Sequence, residues 1–276
     1  MIDSFITPIV SPRRILNYSG SQSCRLSENV KHQFANQFAL KLYRSGAVYS
    51  FIPRNASSTL RFSVAMDNGV VNHIGQINWI YENNETFATN LESLITANYT
   101  FTILRCPYER LLSCYLDKIV GLKSEAWNLH NISGRNIPAN RVTFYDFVLM
   151  LEGKGLVQSD MHWRPQVDFL VYKKYDDYFT FEDFGLLSKT LKEKIDLEIF
   201  DTRDYLGQAT ALHEKHDIDS GYFLTPLDLQ PMLENGLIPT PECMYNDELI
   251  DLVYKLYGND IDFYKYKFGS ENLLFD

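Results

Sequence analysis

The side chains best suited to chemistry are cationic and hydroxylic, and they fall in two clusters. The first is Arg54-Asn55-Ala56-Ser57-Ser58-Thr59-Leu60, which follows the apolar, β-prone run from Val48 to Pro53. Helical periodicity starts at Leu60 and runs through Met66, so the stretch reads as strand, tight loop, helix. The N–H groups that open a helix lack intrahelical acceptors and lie at the positive end of its dipole, where an anion is held well. Arg54 and the hydroxyls of Ser57, Ser58 and Thr59 add donors at that point, which makes a cradle for a phosphate or phosphosulfate. The same pattern also fits an ordinary strand-to-helix connection with Ser58 as N-cap.

The second cluster follows the strand-like Tyr99-Thr100-Phe101-Thr102-Ile103-Leu104. Arg105-Cys106-Pro107 turns into a helical segment from Tyr108 to Ile119, with Leu111, Leu112, Tyr115, Leu116 and Ile119 on its apolar face. Pro107 suits the first turn and Glu109 the positive end. Arg105 can grip a phosphate with two parallel N–H bonds. Ser113, about two turns along the helix, can face the same group; a hydroxyl bonded to its own helix carbonyl is the alternative. A third site is His162 in Asp160-Met161-His162-Trp163-Arg164-Pro165-Gln166, an imidazole able to take a proton near neutral pH or to hold its neighbours in place. His73 and Glu82 are second choices for a base. Trp163 suits stacking on a sugar or adenine, or a core or hinge role.

These residues need a scaffold. Two strands joined through helices predict a parallel sheet with right-handed crossovers, and ligands in such sheets bind beyond the carboxyl ends of the strands. Arg54 and Arg105 both follow such ends, so they are expected to point into one crevice. A short helix is expected over Asn36 to Tyr43, a helix over Glu85 to Ala97, and a long loop from Gly121 to Arg141. Helices follow over Thr143 to Leu151, Leu186 to Phe200 and Asn246 to Tyr257, with a strand over Tyr178 to Glu182. Residues 207–245 hold Pro226, Pro231, Pro239 and Pro241 and read as a covering loop. The aromatics Phe263, Tyr264, Tyr266 and Phe268 are expected to dock the tail on the core.

The chain of 276 residues is 45% hydrophobic and 14% aromatic, enough to bury the core of one large α/β domain or of two small ones; one domain over 1–276 with the binding core in 45–120 is expected. A net charge of -9 argues against a general nucleic-acid binder but leaves room for a local basic cleft. No run approaches the roughly 20 apolar residues of a membrane span. Met1 to Val10 includes Asp3 and Pro8 and does not read as a secretory signal. Cys24, Cys106, Cys114 and Cys243 show no CxxC spacing and suit a reduced, metal-free protein, so a cytoplasmic location is expected.

Phe51-Ile52-Pro53-Arg54-Asn55-Ala56-Ser57-Ser58-Thr59 resembles the 5′-phosphosulfate loop of the Golgi-type carbohydrate sulfotransferases, including the chondroitin and HNK-1 enzymes. The run from Leu104 to Lys118 resembles their 3′-phosphate element. The His162 block, the strand over Tyr178 to Glu182 and the segment from Tyr257 to Tyr266 agree in order, so the resemblance spans roughly residues 45 to 268. No membrane anchor or stem like theirs is expected. The resemblance implies a P-loop-like α/β fold with a central parallel sheet flanked by helices. It also implies sulfuryl transfer from 3′-phosphoadenosine 5′-phosphosulfate (PAPS) to a hydroxyl of a glycan or related acceptor, without a metal. On this resemblance Arg54 and His162 are catalytic, and Arg54, Asn55, Ala56, Ser57, Ser58, Thr59, Leu60, Arg105 and Ser113 bind the donor. One departure stands out: Arg54 occupies the place of the family's usual Lys, and it stabilises charge but donates protons poorly. Two other readings are a P-loop kinase, against which stands the missing Gly-x-x-x-x-Gly-Lys-Ser/Thr pattern, and a non-catalytic nucleotide- or glycan-binding module of the same fold.

Overall fold

The computed structural model describes residues 14–20, 24–83, 85–134, 136–153, 155–202, 205 and 213–276. Its central sheet contains β1 (Ala39–Lys41), β2 (Val48–Ser50), β3 (Thr100–Leu104) and β4 (Asp177–Thr180), in that spatial order. β1 pairs antiparallel to β2, while β2–β3 and β3–β4 pair parallel, with Val48 opposite Thr100 and Thr102 opposite Tyr178. All residues of β2 and β3 are buried, as expected for parallel strands covered on both faces. The Tyr49 and Phe101 rings stack at 4.8 Å between these two strands.

The helices, in chain order, are α1 (Val30–Gln37), α2 (Ser57–Asp67), α3 (Trp79–Glu82), α4 (Leu91–Ile95) and α5 (Pro107–Cys114), then α6 (Ser124–Ser133), α7 (Phe144–Glu152), α8 (Phe184–Ile195), α9 (Pro226–Glu234) and α10 (Asp247–Phe268). α2 to α4 connect β2 to β3, and α5 to α7 lie between β3 and β4. The fold is thus mixed α/β, with a mostly parallel central sheet flanked by helices. α5 runs straight into a π-helical stretch, Tyr115–Val120. Such wide turns are uncommon and recur at functional sites.

Several boundaries differ from the sequence-based expectation. The expected helix over Asn36 to Tyr43 is instead the end of α1 followed by β1. The expected loop from Gly121 to Arg141 contains α6, which ends where Gly134 adopts a left-handed conformation with φ 67°. Residues 207–245 are more than a loop: β5 (Glu214–His216) and β6 (Leu237–Pro239) pair parallel on either side of α9, and residues 207–212 lie outside the described part. α2 starts at Ser57 with Ala56 as its N-cap, so Ser58 is inside the helix. α10 continues to Phe268 through a non-helical Tyr257, with φ -121° and ψ 19°, where the sequence signal for the helix stops. Within the tail, Tyr264 is fully buried whereas Tyr266 faces solvent.

Candidate active site

The cradle loop is tightly constrained. Arg54 and Ala56 both have left-handed backbones, with φ 74° and 54°, a conformation that costs a non-glycine residue roughly 1–2 kcal/mol. Asn55 between them holds the loop in place. Its side chain is fully buried, and its Nδ2 donates to the Ile103 carbonyl at 2.8 Å and to Gln166 Oε1 at 2.6 Å. The Pro53 carbonyl accepts from Arg110 Nε at 3.0 Å. Immediately after this turn the first N–H groups of α2 open toward the cleft.

The cleft has a volume of about 820 Å³ at the carboxyl ends of β2 and β3. Arg54, Ala56, Ser57, Ser58, Thr59, Arg105, Ser113 and His162 all line it, so residues up to 108 positions apart share one wall. Asn55 and Leu60 face the core and do not line it; both are fully buried. Their side chains therefore support the cradle from behind. Two cradle hydroxyls have partners: Ser58 Oγ lies 3.2 Å from the Tyr81 hydroxyl, and Thr59 Oγ1 lies 2.8 Å from Thr202 Oγ1.

Arg54 and Arg105 meet directly. Arg105 Nη1 donates to the Arg54 carbonyl at 3.4 Å. The Arg105 guanidinium lies over the Phe181 ring at 4.4 Å, and its buried Nε has no hydrogen-bond acceptor. Burial lowers its pKa, and the Arg54 charge adds to that, although its basicity is too high for the proton to be lost near neutral pH. A buried, unsatisfied cationic donor facing a cleft is what an anionic ligand relieves. Glu109 gives only a long contact at 4.0 Å.

Ser113 stands with Arg54: its Oγ accepts from Arg54 Nη2 at 2.7 Å and from Nε at 3.3 Å. The third contact of Arg54 is Asp117 in the π-helical stretch, at 2.6 Å. Asp117 also meets Lys123 at 2.6 Å and Lys118 at 3.6 Å. Burial alone would raise the Asp117 pKa, but Arg54 and the two lysines outweigh it and hold the carboxyl below its ordinary range.

His162 carries an orienting partner that the sequence reading did not single out. Its ring Nδ1 lies 2.7 Å from Asp160 Oδ1, and its backbone N–H donates to the same oxygen at 2.8 Å. With Nδ1 protonated toward Asp160, Nε2 is left with the lone pair. These bonds outweigh burial and keep the Asp160 carboxyl below its usual range. Glu125 lies 3.5 Å from the same Nδ1 and pairs with Lys118 at 2.7 Å. His73 and Glu82 do not line the cleft; His73 instead accepts from the Gly75 N–H. Trp163 is a core residue, buried, with Nε1 donating to the Leu156 carbonyl.

Gln166 ties the loops together, and sequence reasoning missed its role. Besides Asn55, its Oε1 accepts from the Arg105 N–H at 3.1 Å, and its Nε2 donates to the Arg105 carbonyl at 2.9 Å. The Gln166 and Val167 N–H groups donate to the two oxygens of Asp260 at 2.6 and 3.0 Å. Arg110 bonds the Pro53, Arg164 and Met161 carbonyls. One buried polar hub thus fixes the Arg54 loop, the Arg105 loop and the His162 segment relative to one another. Burial dominates at Asp260 and raises its pKa to about 6.

A pair of arginine-bearing loops at the carboxyl ends of two adjacent strands, beside a helix N-terminus and a carboxylate-held histidine, defines an anion-binding group-transfer site. The chain belongs to the sulfotransferase family, whose model matches residues 24–267. It is therefore a transferase of sulfuryl groups. No curated protein and no solved structure matches the chain. Among the described residues no helix is long and apolar enough to cross a membrane, and no cluster of His, Cys, Asp and Glu is arranged to hold a metal ion.

Proposed function

We propose that the protein transfers the sulfuryl group of PAPS to a hydroxyl of a glycan or related acceptor, on a P-loop-like scaffold. The observation that carries the donor assignment is the convergence of Arg54 and Arg105 on one cleft, with the buried Arg105 Nε unsatisfied. The fit is chemical: the donor has separated anionic groups, and the cleft wall has the guanidinium groups of Arg54 and Arg105, a helix N-terminus and Ser113. When bound, the donor supplies a sulfuryl group on a phosphate leaving group.

In this reading Arg105 grips one anionic end, while Arg54 and the opening N–H groups of α2 receive the other. Arg54 holds a fixed positive charge where negative charge grows on the leaving oxygen, and such a charge lowers the barrier most if it favours the transition state over the ground state. Ser113 and Asp117 hold Arg54 in place. His162 takes the acceptor proton at Nε2, and Asp160 fixes the tautomer through Nδ1. The four free cysteines suit a reducing compartment and support a cytoplasmic location.

The Arg54–Asp117 pair also favours a second reading. A cation already tied to a carboxylate suits a module that binds nucleotide without turning it over. Incubation with sulfur-labelled PAPS and hydroxyl acceptors, with and without EDTA, separates the possibilities. Label transfer that survives EDTA is expected. Donor binding without transfer or hydrolysis would favour the module.

A further inference from the structure

Two sequence neighbours, Asp117 and Lys118, line the cleft between Arg54 and His162, and both belong to the π-helical stretch Tyr115–Val120. In a regular α-helix successive side chains diverge by about 100° and do not face each other. Here Lys118 Nζ comes within 3.6 Å of Asp117 Oδ2, and each side chain is only 13% exposed. The wide turn thus brings two adjacent charged groups to one wall.

Lys118 is one carboxylate oxygen away from each of the two groups assigned to the reaction. Asp117 Oδ2 is the oxygen that Arg54 Nη1 holds at 2.6 Å. Glu125 Oε1 pairs with Lys118 Nζ at 2.7 Å and lies 3.5 Å from His162 Nδ1. The ammonium therefore stands between the cation at the leaving phosphate and the base at the acceptor. An ammonium has three N–H donors, and Glu125 takes one of them. The Asp117 contact is past hydrogen-bond length, and Lys123 meets the other oxygen of that carboxylate at 2.6 Å. Donors remain on Lys118 for an anion in the cleft. Glu125 is itself held in place, since Ser124 Oγ donates to its Oε2 at 3.0 Å.

We propose that Lys118 is a further catalytic residue, which holds the peripheral oxygens of the sulfuryl group as it passes from donor to acceptor; this rests on the donor reading above. The bond from sulfur to the leaving phosphate oxygen breaks, and its electron pair stays with the phosphate beside Arg54. The bond from sulfur to the acceptor oxygen forms, and the acceptor proton goes to His162 Nε2. The three peripheral oxygens stay on sulfur throughout, on the Lys118 side. A cation that meets them before and during transfer strengthens donor binding and keeps sulfur in line. Lys118 thus separates the sulfated from the desulfated nucleotide, whereas Arg105 grips a phosphate present in both.

The test titrates PAPS and adenosine 3′,5′-bisphosphate in competition, without acceptor. The proteins are the native chain, Lys118→Arg, Lys118→Met, and the double variant Lys118→Met with Glu125→Gln. The double variant removes the carboxylate that the single one leaves bare, so repulsion by Glu125 cannot mimic the effect. Label transfer from PAPS to hydroxyl acceptors is followed in parallel. In the double variant PAPS affinity should fall about tenfold or more, the scale of one lost charge-assisted hydrogen bond, while the bisphosphate stays within about threefold of native. Lys118→Arg should keep most of the PAPS affinity. Equal changes for both nucleotides, or no change for either, would overturn the proposal. So would lost transfer with the preference for PAPS intact, because Lys118 would then act only through Glu125 on His162. Failure of the native protein to bind either nucleotide would instead remove the donor reading, and this proposal with it.

Discussion

Replacing Gln166 by Leu removes the side chain that joins the two arginine loops. Gln166 is 2% exposed, so no water can readily replace it. The change leaves the Arg105 N–H and carbonyl without the partners they hold at 3.1 and 2.9 Å, while Asn55 keeps its bond to Ile103. A buried polar group left unpaired costs about 1–3 kcal/mol. Two such groups, partly relaxed, place the loss of folding stability at roughly 2–5 kcal/mol, readable as a lower urea midpoint with unchanged slope. Because Arg105 is held through its backbone, affinity for the desulfated nucleotide should fall at least tenfold, or about 1.4 kcal/mol. Gln166→Glu sharpens the test. Ionised, it sets a carboxylate oxygen against the Arg105 carbonyl; protonated, it restores a donor there. Burial favours the protonated form, so nucleotide affinity should recover as pH falls toward 5. Calorimetry on folded Gln166→Leu and Gln166→Glu protein decides the matter. Unchanged affinity in both would show that Gln166 supports the core without positioning the site.

Other expected outcomes follow from the same geometry. Arg105→Ala should weaken nucleotide binding by roughly 2 kcal/mol, the scale of a lost charge-assisted pair, as measured by calorimetry. His162→Ala should lower turnover about 100-fold or more while nucleotide affinity stays within about threefold, and normal turnover across pH would remove it as the base. Asp260 has a folded pKa of about 6, raised above the unfolded value, so the folded state holds its proton longer as pH rises. Its contribution therefore favours folding most below pH 4 and is lost between about pH 4 and 6. Relative to Asp260→Asn, the native protein should lose up to about 3 kcal/mol of its stability advantage across that window, measured by urea unfolding at each pH; a constant difference would contradict this.

Local chemistry made the two arginine loops readable. Each follows a short apolar strand and opens a helix, so Arg54 and Arg105 were placed by neighbours within a few residues. The hub behind them was not readable in this way. Gln166 meets Asn55 across 111 residues and Asp260 across 94, and no local pattern encodes such pairs. The Asp160–His162 bond spans two residues and lay within a segment already singled out, yet its orienting role needs side-chain geometry. β1 was missed because three residues, Ala39 to Lys41, are too few to show alternation. α6 has no side-chain cap at Lys123 to announce it. α9 was announced: Thr225 and Asp228 form a capping box and Pro226 takes the first turn, a signal outweighed by the four prolines around it.

The claim that matters most is that Arg54 and Arg105 hold different ends of one ligand. Calorimetry with adenosine 3′,5′-bisphosphate, adenosine 5′-phosphate and adenosine 3′-phosphate, each against the native protein, Arg54→Ala and Arg105→Ala, tests it most directly. The bisphosphate should bind the native protein most tightly. Arg54→Ala should remove mainly the gain from the 5′-phosphate, and Arg105→Ala mainly the gain from the 3′-phosphate. Equal losses for all three nucleotides in both variants, or no preference for the bisphosphate, would contradict it.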